Sequence, residues 1–140
     1  RDGGDRSDNP FTNFYWDYCS QGKPAYMPMN FLSLAEAIEV IHLNGGVPVL
    51  AHPGVNVKEN SDLLEGIIAT GISGIEVYSS YHDPDQTEFY EKAALEHHLL
   101  MTCGSDFHGN TKPSIMIGST DCKGQDRQII SKLIQKMSGN

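Results

Sequence analysis

Apolar residues in the first half of the chain recur at the spacing of an amphipathic helix. Ser33 stands three residues before Glu36, which is the spacing of a capping box at a helix start. The apolar positions that follow lie three and four residues apart: Leu34, Ala37, Ile38 and Ile41. Gly45 and Gly46 are typical of a helix end. We therefore predict a helix from residue 33 to the residue before Gly45.

Short continuous apolar runs alternate with further helical patterns along the rest of the chain. The runs 47–51, 74–78 and 99–103 have the length expected of buried parallel strands. Helical spacing occupies residues 61–70, the stretch after Asp83–Pro84, and residues 125–137. Strands that alternate with helices predict an α/β fold in which parallel strands have helices packed outside them.

The first thirty residues do not share this alternation. They are rich in aromatic side chains between residues 11 and 18, and Pro24 and Pro28 argue against a long helix. We predict an irregular aromatic-rich segment over 1–30 and an α/β body over 31–140. We expect the aromatic residues to form a short helical turn packed on that body. A base-stacking platform is the alternative.

Charge and cysteine content narrow the possible functions. The net charge of −8 argues against a broad surface for long nucleic acid, but it allows a small phosphorylated substrate whose charge a bound metal offsets. Three cysteines without a C-x-x-C pair indicate no disulfide framework, so we expect Cys103 to be a small core residue and the location to be a reducing cytoplasm. No apolar run approaches the length of a membrane span, and we expect no signal peptide.

Polar residues able to carry chemistry follow each predicted strand. His52 follows the first, His82 the second, and Asp106 with His108 the third. Parallel strands present their carboxyl ends at one edge of the sheet, where ligands bind in α/β folds, so these side chains should meet there. Asp106 and His108 are two residues apart and point the same way if the backbone is extended. Carboxylate oxygen and imidazole nitrogen suit zinc, manganese or iron.

Each of these short motifs also has a structural interpretation. Asp106 by itself could cap the amides of a turn, and His52 by itself could bond a backbone carbonyl at a strand end. Taken in order, the motifs A-H-P-G, G-I-E-V-Y and G-S-D-F-H-G resemble those of the polymerase and histidinol phosphatase (PHP) superfamily. The resemblance extends from Gly22 to Ser119 and is greatest to the stand-alone nucleotide phosphoesterases of that superfamily.

The resemblance implies a fold, a cofactor and a reaction. The fold would be a distorted (β/α)7 TIM-like barrel. The cofactor would be a cluster of two or three divalent metal ions (Mn, Zn or Fe), with His52, Asp106 and His108 among the ligands. The reaction would be hydrolysis of a small phosphate ester by metal-activated water, with a nucleotide as the favoured substrate. Histidinol phosphate is an alternative substrate, and a non-catalytic binding or scaffolding module is an alternative function.

The chain departs from the superfamily pattern at its N-terminal side. The superfamily has an H-x-H motif that does not occur in this sequence. A closed (β/α) barrel also takes roughly 200 residues or more. We therefore expect the chain to be the C-terminal part of a barrel whose N-terminal half is missing. We expect it to bind metal poorly and to show little activity by itself.

Two further residues are candidates for contact with the substrate. His82 could donate to the phosphate or protonate the leaving oxygen, although the following Asp83–Pro84 equally suggests a place at a helix start. Lys23 could bind a second phosphate, and a solvated loop lysine is the alternative. Glu76 is a charged residue inside an apolar strand, for which we expect a structural, hydrogen-bonded role.

Overall fold

Three parallel strands form the sheet of the computed structural model, which describes residues 10–138. The strands are β1 (Val49–Leu50), β2 (Gly74–Ser79) and β3 (Leu100–Gly104), in the order β1-β2-β3. Gly74 pairs with Val49 on one side and with Leu100 on the other. The register between β2 and β3 shifts between Glu76 and Tyr78. Such a bulge changes the direction of side chains, here beside the carboxyl edge of the sheet.

Helices connect the strands and confirm the predicted alternation. They are α1 (Pro10–Phe14), which continues as a π-helical turn (Tyr15–Cys19), α2 (Leu34–Leu43), α3 (Pro53–Asn56), α4 (Ser61–Ala69), α5 (Pro84–Glu96) and α6 (Asp126–Ser138), with a 3-10 turn at Gly109–Thr111. The capping box predicted at Ser33 is present, and a second one joins Asp83 to Gln86. Pro84 occupies the first turn of α5, where its missing N–H leaves no bond unmade.

Two elements differ from the prediction around the first strand. The strand β1 has two residues, whereas the apolar run suggested five, because Pro48 has no N–H to donate to the ladder. The Pro48 carbonyl instead accepts a hydrogen bond from the Ser73 N–H at 2.8 Å. The short helix α3 was not predicted, and it begins directly after His52 with Pro53 at its start.

The core lies on both sides of β2. Ile75 and Val77 in β2, Leu64 in α4, and Tyr90 and Ala94 in α5 are at most 2% exposed. Two buried phenols are hydrogen-bonded: the Tyr78 hydroxyl donates to Glu91 at 3.1 Å, and the Tyr90 hydroxyl donates to the Lys58 carbonyl. A central strand with both faces covered is what a parallel α/β sheet requires.

The aromatic segment forms the predicted helical turn, and its rings are partly exposed. The rings of Phe14 and Tyr18 stack with their centroids 5.0 Å apart, and Tyr15 meets Trp16 edge-on. Phe11, Phe14 and Trp16 nevertheless remain 84%, 58% and 44% exposed. The expectation that this segment packs on the body stays a prediction. The division of the chain at residue 30 stays a prediction, and residues 1–9 lie outside the described part.

The expectation of no disulfide is also wrong. Cys103 in β3 forms a disulfide with Cys122 in the loop before α6, while Cys19 is free. An odd number of cysteines means only that at least one of them cannot form a disulfide within the chain. Which two can meet depends on tertiary proximity, and here the Cα atoms of residues 103 and 122 lie 6.1 Å apart. The cysteine content therefore no longer supports a reducing cytoplasm, and the cytoplasmic location stays a prediction. Across residues 10–138, no helix has the length and apolar character needed to cross a membrane.

Candidate metal and phosphate site

The carboxyl ends of the three strands open into one pocket of about 580 Å³. His52 reaches it from the end of β1, Tyr81 from the turn after β2, and Asp106 and His108 from the loop after β3. The remaining lining residues are Val55, Asn56, Lys58 and Lys112. The structure thus places the three predicted metal ligands in the lining of a single pocket. Tyr81, Lys58 and Lys112 were not singled out from the sequence.

His52 stands at the junction between β1 and α3 in a strained backbone conformation. Its φ of 31° and ψ of 57° are left-handed, which is uncommon for a residue with a side chain. Its backbone N–H donates to Oε2 of Glu76 at 2.7 Å. Its ring nitrogen Nδ1 is buried and has no hydrogen-bond partner among the described residues. A buried nitrogen of this kind is costly unless some group binds it.

Glu76 owes its position to a glycine on the neighbouring strand. A side chain at residue 104 would collide with Oε1 of Glu76, so Gly104 makes room for the carboxylate. Glu76 therefore lies between β1 and β3 and holds the backbone at His52. This is the structural role that we expected of a charged residue in an apolar strand.

Asp106 is held by a tyrosine and a lysine. Its carboxylate oxygen Oδ2 accepts from the Tyr81 hydroxyl at 2.6 Å and also from the ammonium of Lys112. Burial acts to raise the pKa of the Asp106 carboxyl. Hydrogen bonds from Lys112 and Tyr81, with the charges of Lys112 and His108, outweigh burial and lower that pKa below its ordinary value. Asp106 is therefore a carboxylate at neutral pH.

His108 has one ring nitrogen engaged and one free for a ligand. Its Nδ1 lies 2.7 Å from the backbone carbonyl of Asp106 and must be the donor, because a carbonyl oxygen only accepts. The neutral ring then has an unprotonated Nε2. A histidine oriented in this way by a backbone carbonyl is the usual arrangement of a metal ligand.

The chemistry of His52, Asp106 and His108 suits a metal ion, but their positions match a metal site only in part. Two imidazoles and a carboxylate are suitable ligands for zinc, manganese or iron. However, the described residues contain no group of three His, Cys, Asp or Glu side chains placed to hold one ion. One oxygen of Asp106 is also bonded to Lys112. The described residues could therefore supply only part of the coordination shell of a metal.

Comparisons with known proteins find relatives that are named for the hydrolysis of phosphate esters. No protein-family model matches the chain. A 3′,5′-nucleoside bisphosphate phosphatase of Chromobacterium violaceum is 35% identical over 108 residues, which are 74% of this chain and 38% of that protein. The 5′-3′ exoribonuclease Rnm of Escherichia coli is 34% identical over 94 residues, which are 65% of this chain and 32% of that protein.

A solved structure extends the similarity to the fold. A candidate metal-dependent phosphoesterase of Bifidobacterium adolescentis superposes with a TM-score of 0.68 at 30% identity, over 89% of this chain and 44% of that one. These relatives support the predicted resemblance to the PHP superfamily over the part of their length that the chain covers. The chain spans about a third of the length of the curated PHP relatives that it matches. The α/β architecture with a parallel sheet is shared with the solved relative.

Two residues that were predicted to contact the substrate lie outside the pocket lining. His82 donates from Nδ1 to the Val77 carbonyl at 2.8 Å and accepts at Nε2 from the Gly54 N–H at 3.0 Å. Both ring nitrogens are thus used within the fold, which favours the structural alternative over a catalytic or substrate-binding role. Lys23 is exposed in a turn and is not a lining residue, which favours a solvated loop lysine.

Proposed function

We propose that this chain supplies part of the active site of a metal-dependent phosphoesterase that hydrolyses a small phosphate ester. The observation that carries the proposal is the presence of His52, Asp106 and His108 in one pocket at the carboxyl edge of a parallel sheet. Ligand-competent side chains from two different strand ends would be an unusual coincidence in a purely structural loop cluster.

The names of the relatives support a nucleotide-type substrate. Two of them are named a 3′,5′-nucleoside bisphosphate phosphatase and a 5′-3′ exoribonuclease. A third, from Eggerthella lenta, is named a phosphoribosyl 1,2-cyclic phosphate 1,2-diphosphodiesterase and is 32% identical over 81 residues. The chemistry common to these names is a phosphate ester of a ribose. We propose such an ester as the substrate class, with no long nucleic acid duplex and no membrane as a partner.

Divalent metal ions would be the cofactor, and the chain's residues would hold part of a cluster of two or three. His108 would bind through Nε2, Asp106 through its carboxylate and His52 through its ring. Manganese, zinc and iron all suit this donor set. A metal bound there would lower the pKa of its water and would polarise the phosphoryl oxygens. The chain's own contribution is to orient these ligands: Glu76 holds the backbone at His52, and the Asp106 carbonyl sets the tautomer of His108.

The remainder of the fold would be a distorted (β/α)7 TIM-like barrel. The three-stranded sheet β1-β2-β3 is open at both edges within the described residues and would continue into further parallel strands. The missing N-terminal half of the same domain would supply those strands and the remaining ligands. The proposed activity therefore belongs to the full-length protein.

Phosphate release by the full-length protein tests this proposal. The protein is loaded with Mn²⁺ and assayed against 3′,5′-bisphosphates, mononucleotides, short oligoribonucleotides and sugar phosphates. Asp106→Asn is expected to lower the rate by at least about 100-fold, because it removes a charged ligand while keeping the shape. Asp62→Asn is the matched control, since Asp62 is exposed in the first turn of α4. Equal rates in wild type and Asp106→Asn would refute the proposed site.

A further inference from the structure

Lys112 lines the pocket from a hydrogen-bonded turn. It follows the 3-10 turn Gly109–Thr111, six residues after Asp106. Its N–H donates to the Gly109 carbonyl at 3.2 Å, and its own carbonyl accepts from the Ile115 N–H at 3.1 Å. The backbone on both sides of Lys112 is therefore fixed, and the side chain is directed back toward the loop that carries Asp106.

The ammonium of Lys112 is positioned by a tyrosine as well as by Asp106. It donates to the Tyr81 hydroxyl at 2.7 Å and lies 5.3 Å from the centre of the Tyr81 ring. Tyr81 is itself held by its bond to Asp106 and by an edge-on contact with the His52 ring at 5.8 Å. These contacts connect the lysine to two of the candidate metal ligands through one aromatic side chain.

The ammonium has a donor to spare. A lysine ammonium carries three N–H donors, and the described residues provide two acceptors, Tyr81 and Asp106. The side chain is 26% exposed and lines the pocket, so a ligand there can reach it. The ordinary alternative is an internal ion pair that only neutralises Asp106. That alternative does not explain why the cation is held by a second, uncharged partner on the pocket wall.

We propose that Lys112 binds a phosphate oxygen of the substrate, and that Tyr81 is the residue that positions it. This inference rests on the function proposed above. A phosphate group that enters the pocket meets a preorganised cation in a chain whose net charge is −8. If Asp106 held a metal, Lys112 would keep its hydrogen bond to the Tyr81 hydroxyl. Its remaining N–H donors would then be available to the phosphate.

Binding of inorganic phosphate to the full-length protein tests the proposal. The dissociation constant is measured by calorimetry with and without Mn²⁺ for wild type and Lys112→Met. Lys112→Met is expected to weaken binding by at least about tenfold in both conditions, because it removes a charge-assisted hydrogen bond. Lys92→Met is the matched control, since Lys92 also pairs with a carboxylate, that of Glu96, but on the exposed face of α5. The control is expected to bind phosphate as wild type does.

Steady-state kinetics and a second variant separate the inference from its alternatives. Lys112→Met is expected to raise KM about tenfold with a smaller change in kcat, and Lys112→Arg to recover part of the loss. Tyr81→Phe keeps the ammonium charge of Lys112 and removes the hydroxyl that positions it. This variant should therefore weaken phosphate binding less than Lys112→Met does. Unchanged phosphate binding in both Lys112→Met and Tyr81→Phe would overturn the proposal. The calorimetric result stands even if no ester is hydrolysed, so failure of the proposed function is distinguishable from failure of this inference.

Discussion

The carboxylate of Glu76 accepts a hydrogen bond from the backbone N–H of His52 at 2.7 Å. This bond joins the middle of β2 to the end of β1 and holds His52 in its left-handed conformation. Glu76 does not line the pocket itself, so its influence on a bound metal would act through His52. A residue of this kind sets the direction of a ligand without being one.

Replacement of Glu76 should therefore weaken metal binding. We expect Glu76→Ala to lower the Mn²⁺ affinity of the full-length protein by roughly 10- to 100-fold, which is typical of a lost orienting contact. Glu76→Gln keeps an oxygen that can accept a hydrogen bond from the His52 N–H, so it should lower the Mn²⁺ affinity much less. Calorimetric titration with Mn²⁺ measures both. Equal affinities for Glu76→Ala and wild type would mean that His52 needs no such support.

The close contact between Gly54 and His82 predicts a steric effect on stability. A Cβ at residue 54 would lie 2.5 Å from Cδ2 of His82, so Gly54→Ala should destabilise the protein by about 1–3 kcal/mol. Gly66→Ala is the control, because a Cβ there meets nothing within 4 Å and the residue lies within α4. That control should be neutral or stabilising by up to about 1 kcal/mol. Urea unfolding measures both free energies.

A double-mutant cycle assigns the Gly54 effect to His82. His82→Ala removes the ring that a Cβ at residue 54 would strike, and it also removes the bond from the Gly54 N–H. The double variant Gly54→Ala/His82→Ala should then be less destabilised than the sum of the two single variants. Strict additivity would show that the strain lies elsewhere.

The two buried tyrosines predict a loss of stability at alkaline pH. Burial, reinforced by the nearby carboxylate of Glu91, raises the pKa of Tyr78 to about 12, and burial with the charge of Glu59 raises that of Tyr90 to about 12. Below pH 10 these phenols are neutral in both states. Between about pH 10 and 12 the unfolded chain releases their protons while the folded chain retains them, so the free energy of unfolding falls.

Unfolding in urea between pH 9 and 12 measures this dependence. Tyr90→Phe should reduce the fall in the free energy of unfolding between about pH 10 and 12. It should also lower that free energy by about 1 kcal/mol at neutral pH, because it removes the hydrogen bond to the Lys58 carbonyl. Tyr26→Phe is a control, since Tyr26 is 40% exposed. An unchanged pH slope in Tyr90→Phe would contradict the assignment.

The disulfide predicts sensitivity to reductants. The bridge closes a loop with a sequence separation of 19 between Cys103 and Cys122, and a loop of this length is expected to contribute about 3 kcal/mol of stability. Cys122→Ser or treatment with dithiothreitol should lower the free energy of unfolding accordingly. Cys19→Ser is the control, because that thiol is free. Mass spectrometry under non-reducing conditions that finds three free thiols would contradict the bridge.

Local sequence signals accounted for most of the fold. Helix α2 begins at the capping box of Ser33, and α5 begins at Asp83–Pro84, because caps depend on side chains within three residues of the helix start. The parallel order of the strands followed from their alternation with helices. The short helix α3 was missed, since four residues with one proline carry no periodic pattern.

The sequence by itself determined the class of fold, the family motifs and which residue types could bind a metal, because these depend on residue identity and short-range spacing. Only the tertiary structure decided the partners. It brought Lys112 and Tyr81 to Asp106, and Glu76 to the His52 N–H. It also brought Cys122 to Cys103, and it gave both ring nitrogens of His82 a hydrogen-bond partner. Each of these contacts joins residues on different elements or loops. Their distances depend on how the strands register and the helices pack, which no local pattern encodes.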